Sequence, residues 1–304
     1  MFQDNTSFPF VPWIVLFCAI FSVCLAAPLA KSISSISPLG IGFWRTAIVG
    51  CMMLIWTWKI ETRLGVKSFF ESIPQRQLYL SVIAGVLLGW HFWSWFASLQ
   101  YTSALRSTTL VCLNPIWVGL LQAFGMNSKP HLSFWIGTMI SISGVGLMSE
   151  MGDVSQGTIW GDGLAVLGGI LGALYLSIGQ HVRQNMSIQR YGSIVCLSAA
   201  GSLLLACFAT GDTLIPTETN DIYVVLLMAL GPQFCGHIGM NYALGYISAT
   251  LVSVLLLLEP VGVGILAVPI LGEIPTNREI WGSIVILLGL VVVFYPKIMP
   301  QKDV

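Results

Sequence analysis

Charge is what this sequence has least of. Thirteen Lys or Arg and thirteen Asp or Glu make up 9% of 304 residues, against roughly 25% in a soluble domain. So few charged groups cannot cover a surface that faces water, so lipid must be the solvent for most of the chain. The charges cancel to a net of zero, which argues against a nucleic-acid partner held through its phosphates. Metal-ligand spacing is missing as well. The seven cysteines (Cys18, Cys24, Cys51, Cys112, Cys196, Cys207 and Cys235) are scattered through apolar stretches and read as buried small side chains, with no metal and no disulfide framework implied. The sequence has no HExxH, no GxSxG, no mid-span pair of aspartates and no phosphate-binding loop. These absences speak against a membrane-embedded enzyme and against a nucleotide-driven pump, and no cofactor is implied. Residues 1–12 contain no Lys or Arg, and the apolar run from Trp13 to Ala30 is too long for a signal peptide, so it reads as a retained first span.

What is abundant is apolar sequence: 56% of the residues are hydrophobic, and the mean hydropathy is +0.84. Runs able to cross a bilayer, about 20 residues at 1.5 Å per residue, fall near 13–34, 38–58, 78–99, 104–124, 133–149, 161–181, 191–210, 222–243, 248–270 and 279–296. The fold class expected is therefore all-α and integral to the membrane, with about ten transmembrane helices. Most spans are apolar nearly all round, as helices packed on helices and lipid must be. If the N-terminus is cytoplasmic, the inner segments hold Lys59, Arg63, Lys67, Arg76, Lys129, Arg183, Arg190, Lys297 and Lys302, nine of the thirteen basic residues. The outer loops 150–160 and 211–221 carry acids and no base. The positive-inside rule then places both termini in the cytoplasm of a plasma (inner) membrane.

Sliding the sequence by 145 residues aligns 99–144 with 244–289 without a gap, with thirteen of 46 positions identical. Leucine matches mean little in an apolar chain. Pro115/Pro260, Pro130/Pro275, Gly119/Gly264, Gly137/Gly282 and Gly144/Gly289 mean more, because each dictates backbone geometry. Two repeats are expected, over 13–149 and 161–296. Each holds five spans, and an odd number inserts the second copy upside down. Two inverted five-helix repeats are an architecture of secondary transporters.

Several motifs carry a family resemblance over nearly the whole chain. Ser37-Pro38 followed by Arg45, Leu99-Gln100-Tyr101-Thr102-Ser103-Ala104 at the entry to span 4, Glu259-Pro260 in span 9, and Leu271-Gly272-Glu273 followed by Gly282 and Gly289 resemble the EamA family of the drug/metabolite transporter superfamily. The resemblance implies export or exchange of amino acids, metabolites or drugs through a central cavity lined mainly by spans 1, 3, 4, 6, 8 and 9. The chain departs from strict repetition where Asn114-Pro115 answers Glu259-Pro260.

The candidate site residues are polar groups at membrane depth. Glu259 is the one acid deep within a span, where a charge costs roughly 2.5–3.5 kcal/mol or more. It is a candidate for proton coupling, or it caps the carbonyl that Pro260 leaves free. Gln233, His237 and Asn241 recur at i, i+4, i+8 and share one face of span 8, which suits either cavity lining or interhelical hydrogen bonds. In span 3, Trp90 and His91 are expected on the cavity wall as a stacking surface with one imidazole. His91, Ser94 and Trp95 share one face, and Trp90 and Trp93 another. Asn114 and Tyr175 complete the expected cavity, with Pro115 and Pro260 as helix breaks. Gln180, Ser107 and Ser253 read rather as helix–helix contacts. Arg45 could hold an anionic group of a substrate or serve packing alone. The expected partners are a small-molecule substrate, protons and the bilayer. The expected function is a secondary transporter, exporter or exchanger, working by alternating access; the alternatives are a membrane-embedded enzyme or a helical receptor or scaffold, for which an inverted repeat has no evident use.

Overall fold

The computed structural model describes residues 10–63, 73–125, 131–148 and 156–298. Lys67, Lys129 and Lys302 of the charge argument, Pro130 of the repeat match and the acids of 150–155 lie outside the described residues. Among the described residues the secondary structure is helical, in ten rods. We label them α1 (Phe10–Ser32), α2 (Pro38–Arg63), α3 (Gln75–Ser98), α4 (Ala104–Val111 continued by Asn114–Gly125) and α5 (Leu132–Met148) in the first repeat. The second repeat holds α6 (Gln156–Arg183), α7 (Ile188–Thr210), α8 (Thr219–Ala243), α9 (Ala249–Leu271) and α10 (Asn277–Ile298). Eight are long and apolar enough to cross a membrane, and α5 and α10 are the remaining two.

The helices start and stop for local reasons. Ser103 and Ser248, 145 residues apart, cap α4 and α9 in the same way: each hydroxyl accepts from the backbone N–H three residues on, Arg106 and Leu251, satisfying a donor that the first turn leaves orphaned. At the other end, α7 and α9 stop on Gly211 and Gly272, at φ 73° and 72°, the left-handed conformation glycine adopts without strain.

Four rods are interrupted, each at a proline. Proline cannot donate to the carbonyl four residues back, so Pro28 frees Cys24, Pro115 frees Val111, Pro232 frees Met228 and Pro260 frees Leu256. The backbone responds within a turn. α1 breaks after Val23 and resumes at Ala26. α4 tightens through Leu113 N–H to Leu110 O at 3.3 Å and Ile116 N–H to Leu113 O at 3.1 Å. Over Leu256–Leu258, α9 turns into 3₁₀ helix. In α8 the adjustment goes the other way, into ten residues of π-helix over Ala229–Ile238, the wider winding often met at functional sites.

The inversion is visible where α5 crosses α10. A β-carbon on Gly137 would lie 2.4 Å from Gly289 O, and one on Gly144 would lie 2.6 Å from Gly282 O. In the 145-residue register Gly137 corresponds to Gly282 and Gly144 to Gly289, so each repeat contributes the same two glycines to one antiparallel crossing. Midway between them the Ser141 hydroxyl donates to Ile286 O at 3.3 Å, again residues 145 apart, so the pseudo-twofold axis passes through this contact. In the pair α4 and α9, the first half of each packs on the second half of the other, which is the same antiparallel relation. Only a backbone without side chains allows so close an approach. Gly137→Val and Gly289→Val are each expected to lower stability by about 1–3 kcal/mol or to abolish folding. Gly146→Val, with nothing within 4 Å of a new β-carbon, should be tolerated; thermal unfolding in detergent checks all three.

Candidate functional site

The breaks in α4 and α9 converge on a buried cavity of about 30 Å³, room for one or two waters but not for a metabolite. The first repeat lines it with Val23 of α1, His91 and Trp95 of α3, and Val111 and Asn114 of α4. The second lines it with Gly172, Tyr175 and Leu176 of α6, His237 and Met240 of α8, and Leu256 and Glu259 of α9. These are the six helices that the family resemblance implies. Val111 and Leu256, whose carbonyls the prolines free, are 145 residues apart, as are Asn114 and Glu259. The cavity therefore sits where the two broken helices meet.

His91 is held by Gly168 O, 2.8 Å from Nδ1. A carbonyl only accepts, so Nδ1 carries the proton, and in the neutral ring Nε2 is left as an acceptor. The His237 ring, from the other repeat, lies 6.3 Å away centroid to centroid. Gly172 keeps this corner clear: a β-carbon there would come within 3.0 Å of His91 Nδ1 and 3.3 Å of Asn114 Oδ1. Glu259, 6% exposed, accepts from Cys112 Sγ at 3.5 Å. Its hydrogen-bond partner thus comes from the matching break in the other repeat.

Of the residues expected to line the cavity, His91, Asn114, Tyr175, His237 and Glu259 are brought together. Gln233 and Asn241 stand one layer behind. Gln233 Oε1 accepts from Arg45 Nε at 3.1 Å and its Nε2 donates to Cys196 Sγ at 3.5 Å, while Asn241 Oδ1 accepts from the Tyr175 hydroxyl at 2.8 Å. Trp90 requires a correction: it is not part of the lining and packs edge-on against Trp93, 5.3 Å and 81°. Trp95 takes the wall position instead, 2% exposed and 5.9 Å from His91. The i, i+4 spacing puts Trp95 with His91 and leaves Trp90 on another face. Of the expected helix–helix contacts, Gln180 accepts from Ala249 N–H at 2.9 Å and Ser107 shares a hydrogen with Ser98 at 2.5 Å, whereas Ser253 bonds within its own helix, donating to Thr250 O at 2.8 Å.

Several polar atoms of the cavity wall have no partner among the described residues: Trp95 Nε1, Asn114 Oδ1 and His237 Nδ1. Buried polar groups are normally paired, and exceptions call for a water or a ligand.

The two ends of the bundle are closed differently. At the end where the odd-numbered helices finish, Lys31 pairs with Glu273, Glu273 Oε2 also accepts from Ala104 N–H at 3.2 Å, and Arg106 binds Asp162 through two hydrogen bonds of 2.9 and 2.6 Å. Asp221 there accepts from the backbones of Ser34 and Ser35 at 3.1 and 2.8 Å. At the opposite end the closing contacts go to backbone atoms. Arg183 donates to Asn241 O at 2.9 Å and to Met186 O, and Gln180 serves Ala249 as described.

A helical bundle made of two inverted copies, broken around a buried polar cavity that both copies line, is the build of a multi-pass membrane transporter. The model of the EamA-like transporter family matches residues 7–150 and again 159–295, and the chain belongs to that family. An uncharacterized transporter of Archaeoglobus fulgidus is 28% identical over 289 residues, 92% of this chain and 98% of that protein. YwfM of Bacillus subtilis strain 168, also called an uncharacterized transporter, is 23% identical over 283 residues, 92% of each chain. A crystal structure at 15% identity superimposes with a TM-score of 0.73 over 96% of this chain and 99% of that one, which shows a shared fold.

The Tyr175 hydroxyl is the one group that holds the Asn241 carbonyl oxygen in place. Tyr175→Phe is expected to lower stability by about 1–2 kcal/mol, read as a fall in the thermal midpoint in detergent, whereas Trp90→Phe should leave that midpoint nearly unchanged.

Proposed function

We propose that this protein is a secondary transporter that moves a small metabolite, amino acid or drug-like compound by alternating access around the central cavity, as an exporter or exchanger. The observation that carries this reading is the cavity's place on the pseudo-twofold relation, with unpartnered polar atoms on walls drawn from both repeats. Exchange of conformation between inverted copies carries such a site from one face of the membrane to the other. A cavity of this size admits a substrate only after the bundle opens at one end. Opening one end costs the ion pairs around Lys31–Glu273 and Arg106–Asp162; opening the other costs the contacts of Arg183 and Gln180. The distribution of Lys and Arg supports both termini being cytoplasmic in a plasma (inner) membrane.

Glu259 is the proton-coupling residue in this reading. It is the one acid on the cavity wall, and it has no counterpart in the first repeat, where Asn114 stands. Its bond to Cys112 ties its protonation to the geometry of α4, so gain or loss of a proton favours one packing of the two breaks over the other.

Purified protein in liposomes should move at least one amino acid, organic acid, amine or drug-like compound faster than empty liposomes. Failure across a broad panel, with and without a proton gradient, would remove the transport mechanism proposed here. For the same transported compound, Glu259→Gln is expected to abolish acceleration by a proton gradient while leaving exchange at least partly intact. Gradient dependence that survives the substitution would reduce Glu259 to a structural role.

A further inference from the structure

Arg45 is the unexplained charge in this bundle. It lies on α2 within the membrane, 0% exposed, and among the described residues no carboxylate is paired with it. Its Nε donates to Gln233 Oε1 at 3.1 Å, and its guanidinium lies over the Phe92 ring, 4.1 Å from the centroid, with Phe96 at 5.4 Å. Stacking on a ring uses the face of the guanidinium. The N–H bonds radiate in its plane, and among the described residues both terminal nitrogens, Nη1 and Nη2, have no hydrogen-bond partner. Packing alone accounts for the stem and the face of Arg45 but not for this open edge, since a buried donor left unpaired costs the desolvation of the group.

The surroundings say what the edge is for. Phe92 packs edge-on against His237 at 4.8 Å, and His237 lines the central cavity, so Arg45 stands one aromatic layer from it. Phe96, stacked on Phe92 at 5.8 Å and 7°, is also stacked on Trp95 of the cavity wall at 5.4 Å and 27°. The other unpaired buried atoms of this layer include further donors, Trp95 Nε1 and Asn241 Nδ2. Among the described residues the unpaired atoms of this region thus include four N–H-bearing nitrogens, Arg45 Nη1 and Nη2, Trp95 Nε1 and Asn241 Nδ2, beside one unpaired acceptor, Asn114 Oδ1. Glu259 makes no ion pair with Arg45; it accepts from Cys112 Sγ.

We propose that Arg45 is the anion-binding element of the transport site and that the substrate is an amphipathic carboxylate, its acid group held by the Nη1/Nη2 edge and its aromatic or apolar body laid against Trp95, His91 and His237. The planar fork of two parallel N–H groups matches a carboxylate in two-point contact. Gln233 is a positioning residue in this arrangement: it holds Nε and so fixes which edge faces the ligand. This inference rests on the transporter reading and names the substrate class for the same site.

The test uses matched probes that differ only in the acid group: indole-3-acetate, 3-phenylpropionate and L-tryptophan against indole-3-acetamide, 3-phenylpropionamide and tryptamine, with phenyl phosphate as a second oxyanion. Binding to the full-length protein in detergent is read from the thermal midpoint and from tryptophan fluorescence, and movement is read in liposomes. Carboxylates are expected to bind about tenfold or more tightly than their amides or amine. Arg45→Gln should erase that preference, and Gln233→Ala should weaken it while the protein stays folded, so that the test does not depend on the Arg45 variant folding. Phenyl phosphate binding more tightly than every carboxylate would overturn the carboxylate assignment. Equal binding of acid and amide, or a preference untouched by both substitutions, would overturn the anion site itself. If tryptamine or an amide is bound and moved while the acids are not, transport stands and this inference falls. Acids that bind in an Arg45-dependent way but cross no liposome support the anion site and count against transport.

Discussion

The structure depends on one constraint: in lipid, a backbone hydrogen-bonding group has no water to turn to. A break in a membrane helix is tolerated only where protein or a polar cavity covers it. Pro115 and Pro260 impose breaks, and each denies the carbonyl four residues back, Val111 or Leu256, its helical donor; in α9 the tightened turn re-pairs Leu256 O with Glu259 N–H. The fold places both carbonyls at its centre, where α4 and α9 pack antiparallel and both residues line the cavity. A β-carbon on Gly169 would come within 2.8 Å of Val111 O, so the freed carbonyl is sheltered by α6 rather than left against lipid. Covering two broken backbones thus draws both breaks to the centre of the bundle, where they border the polar cavity.

Duplication makes this arrangement economical of sequence, because one pair of positions specifies both breaks and one pair of glycines specifies the α5–α10 crossing. It also makes every departure from symmetry informative. The serine caps, the prolines and the crossing glycines are matched, and all of them shape the backbone. Asn114 against Glu259 and Arg106 against Leu251 are not, and these positions carry charge in one copy only. Geometry is repeated, then, while electrostatics is not, which is what a site that binds an asymmetric molecule in an otherwise symmetric frame requires.

The ten helices and their pairing were legible in the sequence because both rest on signals that lipid enforces: length of apolar run, and glycines and prolines in a fixed register. Which face of a helix turns inward was less legible. Trp90 and Trp95 illustrate why. The 3.6-residue period groups His91 with Trp95 and Trp90 with Trp93, but in a helix apolar all round it does not say which group meets the cavity, since lipid and core favour the same residues. The π-helical stretch of α8 was hidden for a related reason: Pro232 announces a disturbance without saying whether the winding tightens, as in α9, or loosens. The partners of Glu259 and Arg45, namely Cys112, Gln233 and the Phe92 ring, come from other helices at separations of 147, 188 and 47 residues, and no local pattern encodes such pairings.

In the proposed alternating-access mechanism, two inverted copies that were identical would have inward-open and outward-open states of equal energy, so any bias between them would come from the unmatched residues. At the end where the odd-numbered helices finish, two ion pairs close the bundle, their side chains 17–29% exposed. Pairs this accessible to solvent contribute about 0–1 kcal/mol each. The opposite end is held by hydrogen bonds that the Arg183 guanidinium donates to backbone carbonyls, about 1.5–3 kcal/mol each for a charged donor, and by one that Gln180 accepts from Ala249 N–H, about 0.5–1.5 kcal/mol. Each closure is therefore a handful of contacts of at most a few kcal/mol apiece. A difference of a few kcal/mol at most can be reversed by a ligand or a proton that binds one state better than the other by the corresponding factor. Stronger, fully buried ion pairs at either end would hold the bundle more firmly closed there, and in the proposed mechanism the modest strength of these contacts leaves the central charges, Arg45 and Glu259, able to decide which end opens.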